Sequence, residues 1–175
     1  MPTIESLDAE GLRHELAALT DILHACVHAG ASVGFVLPFE PDQARAFWTD
    51  RVAPPLARGE RRLLVARLGD QVIGTVQLDM ATMPNQAHRA EVAKLLVHPR
   101  ARRLGVARSL MQALEARARE DSRLLLTLDT RTGDLAEPLY QSMGYQLAGR
   151  IPGYARAPAG PGFDATSIYY KSLAD

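Results

Sequence analysis

A single cysteine, Cys26, serves the whole chain of 175 residues. One thiol cannot close an internal disulfide, so packing must hold the fold, and the shortage fits a reducing cytoplasm. Cys26 falls at helical spacing with Leu16, Leu19, Leu23 and Val27, which predicts a core role over a reactive one. Net charge is missing as well, with 20 basic residues against 20 acidic ones. That balance argues against a nucleic-acid partner, because a general binder carries a basic face. No apolar run approaches the ~20 residues of a membrane span, and the N-terminus shows no basic-then-apolar signal pattern. The expectation is a cytoplasmic protein with neither nucleic acid nor membrane as a partner. Repeats, low-complexity tracts and interdomain linkers are absent too. With 47% hydrophobic residues, residues 1–175 are expected to form one compact domain with a full core. Among the five histidines, His24 and His28 stand one helical turn apart but find no third ligand, so no metal is expected. Neither a Walker-type Gly-Lys-Ser/Thr loop nor a dinucleotide G-x-G-x-x-G is present.

What the chain does have is the run from Leu95 to Leu110. An apolar strand ends at His98-Pro99, an arginine-rich turn follows, and a helix opens at Gly105. Such a turn aims backbone N–H groups and the positive end of a helix at one spot, which suits a pyrophosphate. Gly105 lets a phosphate approach the amides, and Ala107 keeps the next turn shallow. Arg100, Arg102, Arg103 and Arg108 supply cations with forked donors. Read from the residues alone, the same run also fits an ordinary strand–turn–helix with a solvated basic surface.

Around this run, hydrophobic periodicity predicts a helix from about Ala9 to His28, then a loop at Gly30–Phe35. A second helix is expected from Pro41 to about Val52, anchored by Phe47 and Trp48 and closed by Pro54-Pro55. A hairpin follows, with strands Arg62–Arg67 and Val72–Leu78. Arg89 to Val97 reads as a central strand, and Gly105 to about Glu120 as an amphipathic helix. Leu124–Leu128 reads as a short buried strand with Asp129 at its carboxyl end. Leu135 to Met143 is a short helix stopped by Gly144. Two last strands begin near Tyr145 and Ser167, separated by a loop from Pro152 to Gly162. The order predicts an α/β domain, in the α+β sense, with a mixed and mostly antiparallel sheet flanked by helices.

Arg102-x-x-Gly105-x-Ala107 matches the acyl-CoA loop pattern Gln/Arg-x-x-Gly-x-Gly/Ala, and the chain thereby resembles the GNAT acetyltransferase superfamily. Ala136-x-x-Leu139-Tyr140-x-x-x-Gly144-Tyr145 is similar to that superfamily's second motif. One departure is Gly133, where an asparagine often precedes this alanine. The segments Gly30–Phe35, Arg89–Val92, Leu128–Thr130, Pro152–Tyr154 and Ile168–Lys171 resemble the tabtoxin-resistance acetyltransferases, which act on a small amino-acid-like β-lactam toxin.

The resemblance implies a GNAT-type sheet with splayed central strands and acetyl-CoA as co-substrate. Its pantetheine arm would pair with the backbone of Leu95, Leu96 and Val97 in the manner of an added strand. Arg102, Arg103, Leu104, Gly105, Val106, Ala107 and Arg108 would hold the phosphates. Glu91 is the first candidate for a general base and Asp129 the second, since two carboxylates in one cleft raise each other's pKa. Each also has a structural reading: Glu91 paired with Arg89 or Lys94, Asp129 capping the turn to the next helix. Tyr140 is the candidate acid for the leaving thiolate, or else a core aromatic. No cysteine lies in either motif, which favours direct attack over an acyl-enzyme. Ser32, Phe35, Asn85, Tyr154 and Arg156 are candidate acceptor contacts, with Arg156 suited to a carboxylate. The acceptor is expected to be a small molecule with an amine or hydroxyl. A protein or peptide acceptor and a non-catalytic acyl-CoA sensor stand as the alternatives. Exposed apolar surface on the final strands leaves a homodimer open.

Overall fold

A computed structural model describes residues 2–174. The chain opens with strand β1 (Thr3–Leu7) and helices α1 (Ala9–His14) and α2 (Leu16–His28). It continues through α3 (Pro41–Ala46), a π-helical stretch at Phe47–Val52 and α4 (Ala53–Ala57). Strands β2 (Arg61–Leu68), β3 (Gln71–Met80) and β4 (Arg89–Val97) follow, then α5 (Val106–Glu120), β5 (Leu125–Arg131) and α6 (Glu137–Ser142). Strands β6 (Gln146–Arg156) and β7 (Phe163–Ser172) complete the order. All seven strands form one sheet in the order β1-β2-β3-β4-β5-β7-β6. Among the described residues, only β4 and β5 run parallel.

The sheet is covered on both faces, and the side-chain period of two explains how. On β2, Leu64 and Ala66 point to the side of α5, while Leu63 and Val65 point to the side of α2 and α3. The α5 core adds Val76, Leu78, Val92, Leu110, Leu114, Leu126 and Tyr169. The α2 core adds Leu19, Leu23, Val27, Phe39, Trp48, Val72 and Leu96. Burial of each such side chain contributes about 1.5–3 kcal/mol before entropy is counted. Helix α5 lies close on the sheet at Gly74, where a Cβ would stand 3.0 Å from the Leu96 carbonyl and 3.1 Å from Val106 Cγ1.

Several boundaries differ from the sequence reading. The first predicted helix is two, broken at Glu15, and β1 ahead of it was not anticipated. Asp8 caps α1 by accepting from the Gly11 N–H at 2.7 Å. Pro54 and Pro55 do not close the second helix; they sit at the start of α4, within its continuation. Without their N–H groups the regular ladder cannot continue, and Ala53 instead bonds five residues back to Trp48. The Arg51 carbonyl, left without the Pro55 amide, accepts from Arg61 Nη1 at 3.0 Å. Asp129 lies within β5, opposite Ile168, not at the strand end. Pro152 to Arg156 belong to β6 and not to a loop. An edge strand tolerates a proline, because one side of it needs no ladder donor.

Two irregularities set up the functional cleft. Strands β4 and β5 pair only from Arg89–Glu91 to Leu125–Thr127. Beyond that point β5 stays bonded to β7 while β4 stays bonded to β3, and the sheet opens as a V. The second irregularity is a bulge: Gln77 faces Ala93 and Thr75 faces Leu96, so Lys94 and Leu95 share Val76. Lys94 takes φ 50° to achieve it.

Candidate active site

A cleft of about 770 Å³ fills the V between β4 and β5. One wall is β4 from Glu91 to Val97, the other is β5 from Asp129 to Arg131, and Leu139 and Tyr140 close it from α6. Gly30 to Gly34 and Tyr154 border its mouth. Past Glu91, the β4 backbone has no strand partner on the cleft side, which leaves an edge for an extended, amide-bearing ligand to pair with.

At the far end of β4 the chain folds into an amide nest. His98 fixes the corner: its Nδ1 accepts from the Arg100 N–H at 3.2 Å, and Nε2 reaches Asp21 on α2 at 3.3 Å. The Ala101 and Arg102 N–H groups turn back onto His98 and Pro99. Arg103 (φ 63°) and Gly105 (φ 77°) are both left-handed, a reversal that lines up successive N–H groups in one concavity. The first bond into α5 runs from Ser109 N–H to the Gly105 carbonyl at 3.1 Å. The N–H groups of Val106, Ala107 and Arg108 therefore have no helical acceptor and face outward at the positive end of a 15-residue helix. Such a nest fits a pyrophosphate, and with the free β4 edge beside it the pair fits a nucleotide-linked pantetheine.

The sequence-derived residues divide by position. Glu91, Asp129, Tyr140, Leu95, Leu96, Val97, Arg102, Arg103, Ala107, Ser32 and Tyr154 all line the cleft. Leu104, Gly105 and Val106 form the nest itself. Arg108 turns away, donating to Ser142 at 2.7 Å and tying α5 to α6. Phe35 packs into an aromatic group, 4.6 Å from Phe39 and 5.5 Å from Phe47 between ring centroids. Asn85 is exposed in the short turn before β4, and Arg156 is exposed at the end of β6, neither on the cleft wall.

The charges in the cleft interact. Glu91 is exposed to the cleft, and partial desolvation by its walls lifts the carboxyl above its ordinary value, with the negative charges of Asp129 and Asp79 lifting it further. Asp129 Oδ2 lies 3.2 Å from the Thr166 hydroxyl, which also sits 3.0 Å from the Thr130 carbonyl. Asp129 thus neither caps a helix nor pairs with a cation. Tyr140 is buried, and burial together with Asp134 and Asp129 holds its phenol well above the ordinary range. Cys26 is buried in the α2 core yet also touches the cleft, with Sγ 3.4 Å from the Val97 carbonyl. Burial pushes its thiol up, so it stays protonated and a poor nucleophile.

Two cleft residues, Arg131 and Thr166, escaped the sequence reading, and a third, Lys94, entered it only as an ion-pair partner for Glu91. Arg131 bonds the Gly30 carbonyl at 3.2 Å and Asp134 at 3.3 Å, and approaches Asp164 at 3.8 Å, fastening the mouth loop to β5 and β7. Thr166 orients Asp129. Lys94 stands on the wall beside Glu91, its ammonium 5.6 Å from the Phe47 ring centroid. No local motif marks these positions; they meet only through strand register. Among the described residues, no cluster of three or more His, Cys, Asp or Glu is placed to hold a metal, and no helix is long and apolar enough to cross a membrane.

A V-shaped opening between parallel strands, an amide nest at its end and carboxylates at its apex define a class of enzyme that moves an acyl group from a pantetheine thioester. Comparison with known proteins places the chain within that class. Residues 18–145 match the acetyltransferase (GNAT) family, and the chain belongs to that family. It is an acetyl-CoA-dependent N-acetyltransferase. An uncharacterized N-acetyltransferase in the hisH-hisA intergenic region of Azospirillum brasilense is 33% identical over 140 residues, covering 78% of this chain and 79% of that protein. Among solved structures, an N-acetyltransferase from Staphylococcus aureus Mu50 superposes with TM-score 0.80 at 18% identity over 99% of both chains. A Salmonella typhimurium structure holding its cofactor acetyl-CoA superposes with TM-score 0.78 at 18% identity, over 99% of this chain and 95% of that one.

Proposed function

We propose that the enzyme acetylates the primary amine of a small amino-acid-like acceptor, of the kind represented by tabtoxinine-β-lactam, by direct attack assisted by Glu91. One observation carries the reading: Glu91 and Asp129 stand on the two arms of the V, close enough for the charge of one to raise the carboxyl of the other. Acetyl-CoA supplies an activated acetyl carbonyl. The Val106, Ala107 and Arg108 amides and the guanidinium groups of Arg102 and Arg103 would hold its phosphates, and the free β4 edge from Leu95 to Val97 its arm.

The remaining work falls to the chain. A primary amine is mostly protonated at neutral pH and cannot attack until it loses a proton. Glu91 accepts that proton, and a carboxyl raised toward the working pH does so more readily than an ordinary one near 4. As the new C–N bond forms and the C–S bond breaks, the electron pair passes to sulfur. Tyr140 keeps its proton at neutral pH and donates a hydrogen bond where that charge collects. The protonated Cys26 thiol takes no part in transfer, consistent with direct attack. The segments resembling the tabtoxin-resistance acetyltransferases support the acceptor class.

The test is acceptor-dependent release of CoA thiol. Purified protein is given acetyl-CoA with amino acids, β-lactam antimetabolites, polyamines or peptides. Release with amino acids or amino-acid-like β-lactams supports the reading. Release confined to peptides or polyamines overturns it.

A further inference from the structure

Glu91 and Lys94 lie three positions apart on β4, and in a regular strand such residues point to opposite faces. The bulge cancels that opposition. Before it, Ala90 and Val92 pack into the α5 core. After it, Leu95 and Val97 pack against that same core, while Leu96 enters the α2 core. The alternation therefore shifts at Lys94, whose left-handed φ of 50° turns its side chain toward Phe47 on the α2 side. Glu91 and Lys94 end on one wall of one cleft. A slip of a single residue would send them apart.

The chain does not neutralise this cation. Asp79 is engaged by Arg61, and Asp129 accepts from Thr166. Among the described residues, Lys94 makes no ion pair; its one close partner is the Phe47 ring. Burial pulls its pKa down, and nearby Asp129, Asp79 and Glu91 are felt without contact. A left-handed backbone is unfavourable for lysine, and the half-buried ammonium touches an aromatic ring and no anion. A ligand anion would supply the missing counter-charge.

We propose that Lys94 holds the carboxylate of the acceptor, so that the cleft reads a zwitterion, with the acceptor's ammonium at Glu91 and Asp129 and its carboxylate on Lys94. The proposal rests on the small-amine reading above and narrows it to acceptors with a free carboxylate. The other cleft cation on the acceptor side, Arg131, is already committed to Gly30, Asp134 and Asp164. Arg156, the candidate from sequence, stands off the wall.

The experiment compares free L-amino acids with their C-terminal primary amides as acceptors, on the wild type, Lys94→Met and Lys94→Arg. Each variant is first shown to bind acetyl-CoA saturably, which establishes that it is folded. The wild type is expected to prefer the acid over its amide by tenfold or more in kcat/KM, through KM and not kcat. In Lys94→Met that ratio falls to near one, and Lys94→Arg restores part of it. Equal use of acids and amides by the wild type overturns the proposal and leaves the amine-acceptor reading standing. An unchanged ratio in Lys94→Met overturns it in the same way. Turnover of neither acids nor amides overturns the acceptor class, and this proposal with it.

Discussion

Glu91 is raised by partial desolvation and by two neighbouring carboxylates, and both causes have measurable consequences. Removing the Asp129 charge with Asp129→Asn should let the Glu91 carboxyl fall, and the acid limb of kcat/KM should move to lower pH. An acid limb that stays in place or moves up would separate the two carboxylates. The same shift bears on stability. A carboxyl with a folded pKa above its unfolded value favours the fold while protonated, and that contribution is lost as pH rises through the folded pKa. Glu91→Gln should therefore raise the thermal midpoint near neutral pH, by a small amount because water screens an exposed carboxyl. The gain should vanish below about pH 4, where the unfolded carboxyl is protonated too. A lowered midpoint at pH 7 would show that Glu91 has a structural partner after all. As residues of the cleft, Glu91, Asp129 and Tyr140 were legible because they sit in strands and motifs with recognisable surroundings. Lys94 was not, since nothing local in Ala93-Lys94-Leu95 announces a bulge whose cause is the pairing with β3.

At the scale of elements, strand β4 and helix α5 frame the candidate site and were also the best read from sequence. Arg89–Val97 was found with both ends correct, because a two-sided apolar strand bounded by a loop and His98-Pro99 leaves little freedom. The start of α5 followed from Gly105, whose φ of 77° only glycine adopts without strain. Gly105→Ala should cost about 1 kcal/mol of stability and raise the KM for acetyl-CoA. Its effect on the acceptor KM should be much smaller, because under the proposed reading the nest would hold only the phosphates. A rise confined to the acceptor KM would remove the nest from the account. The π-helical stretch at Phe47–Val52 and the passage of β6 through Pro152 were beyond the sequence. The first depends on two prolines being carried inside a continuing helix, the second on β6 lying at the edge of the sheet.

Across the whole molecule, one sheet serves as both scaffold and wall of the candidate active site. Its two faces are packed by separate cores, under α5 and under α2 with α3. That double covering fixes β4 and β5 firmly enough for them to diverge without collapse. The order of strands and helices made this architecture legible, whereas the depth of the V and the charges gathered in it required the register. The measurement that bears most directly on the account is the pH dependence of kcat/KM, taken on the wild type and on Glu91→Gln with the best amine acceptor. The wild type should lose activity on an acid limb set by Glu91, with its midpoint above the ordinary carboxyl range. Glu91→Gln should fall on the order of 10²-fold or more and lose that limb. A Glu91→Gln enzyme that keeps both its rate and its acid limb would contradict the assignment of Glu91 as the base.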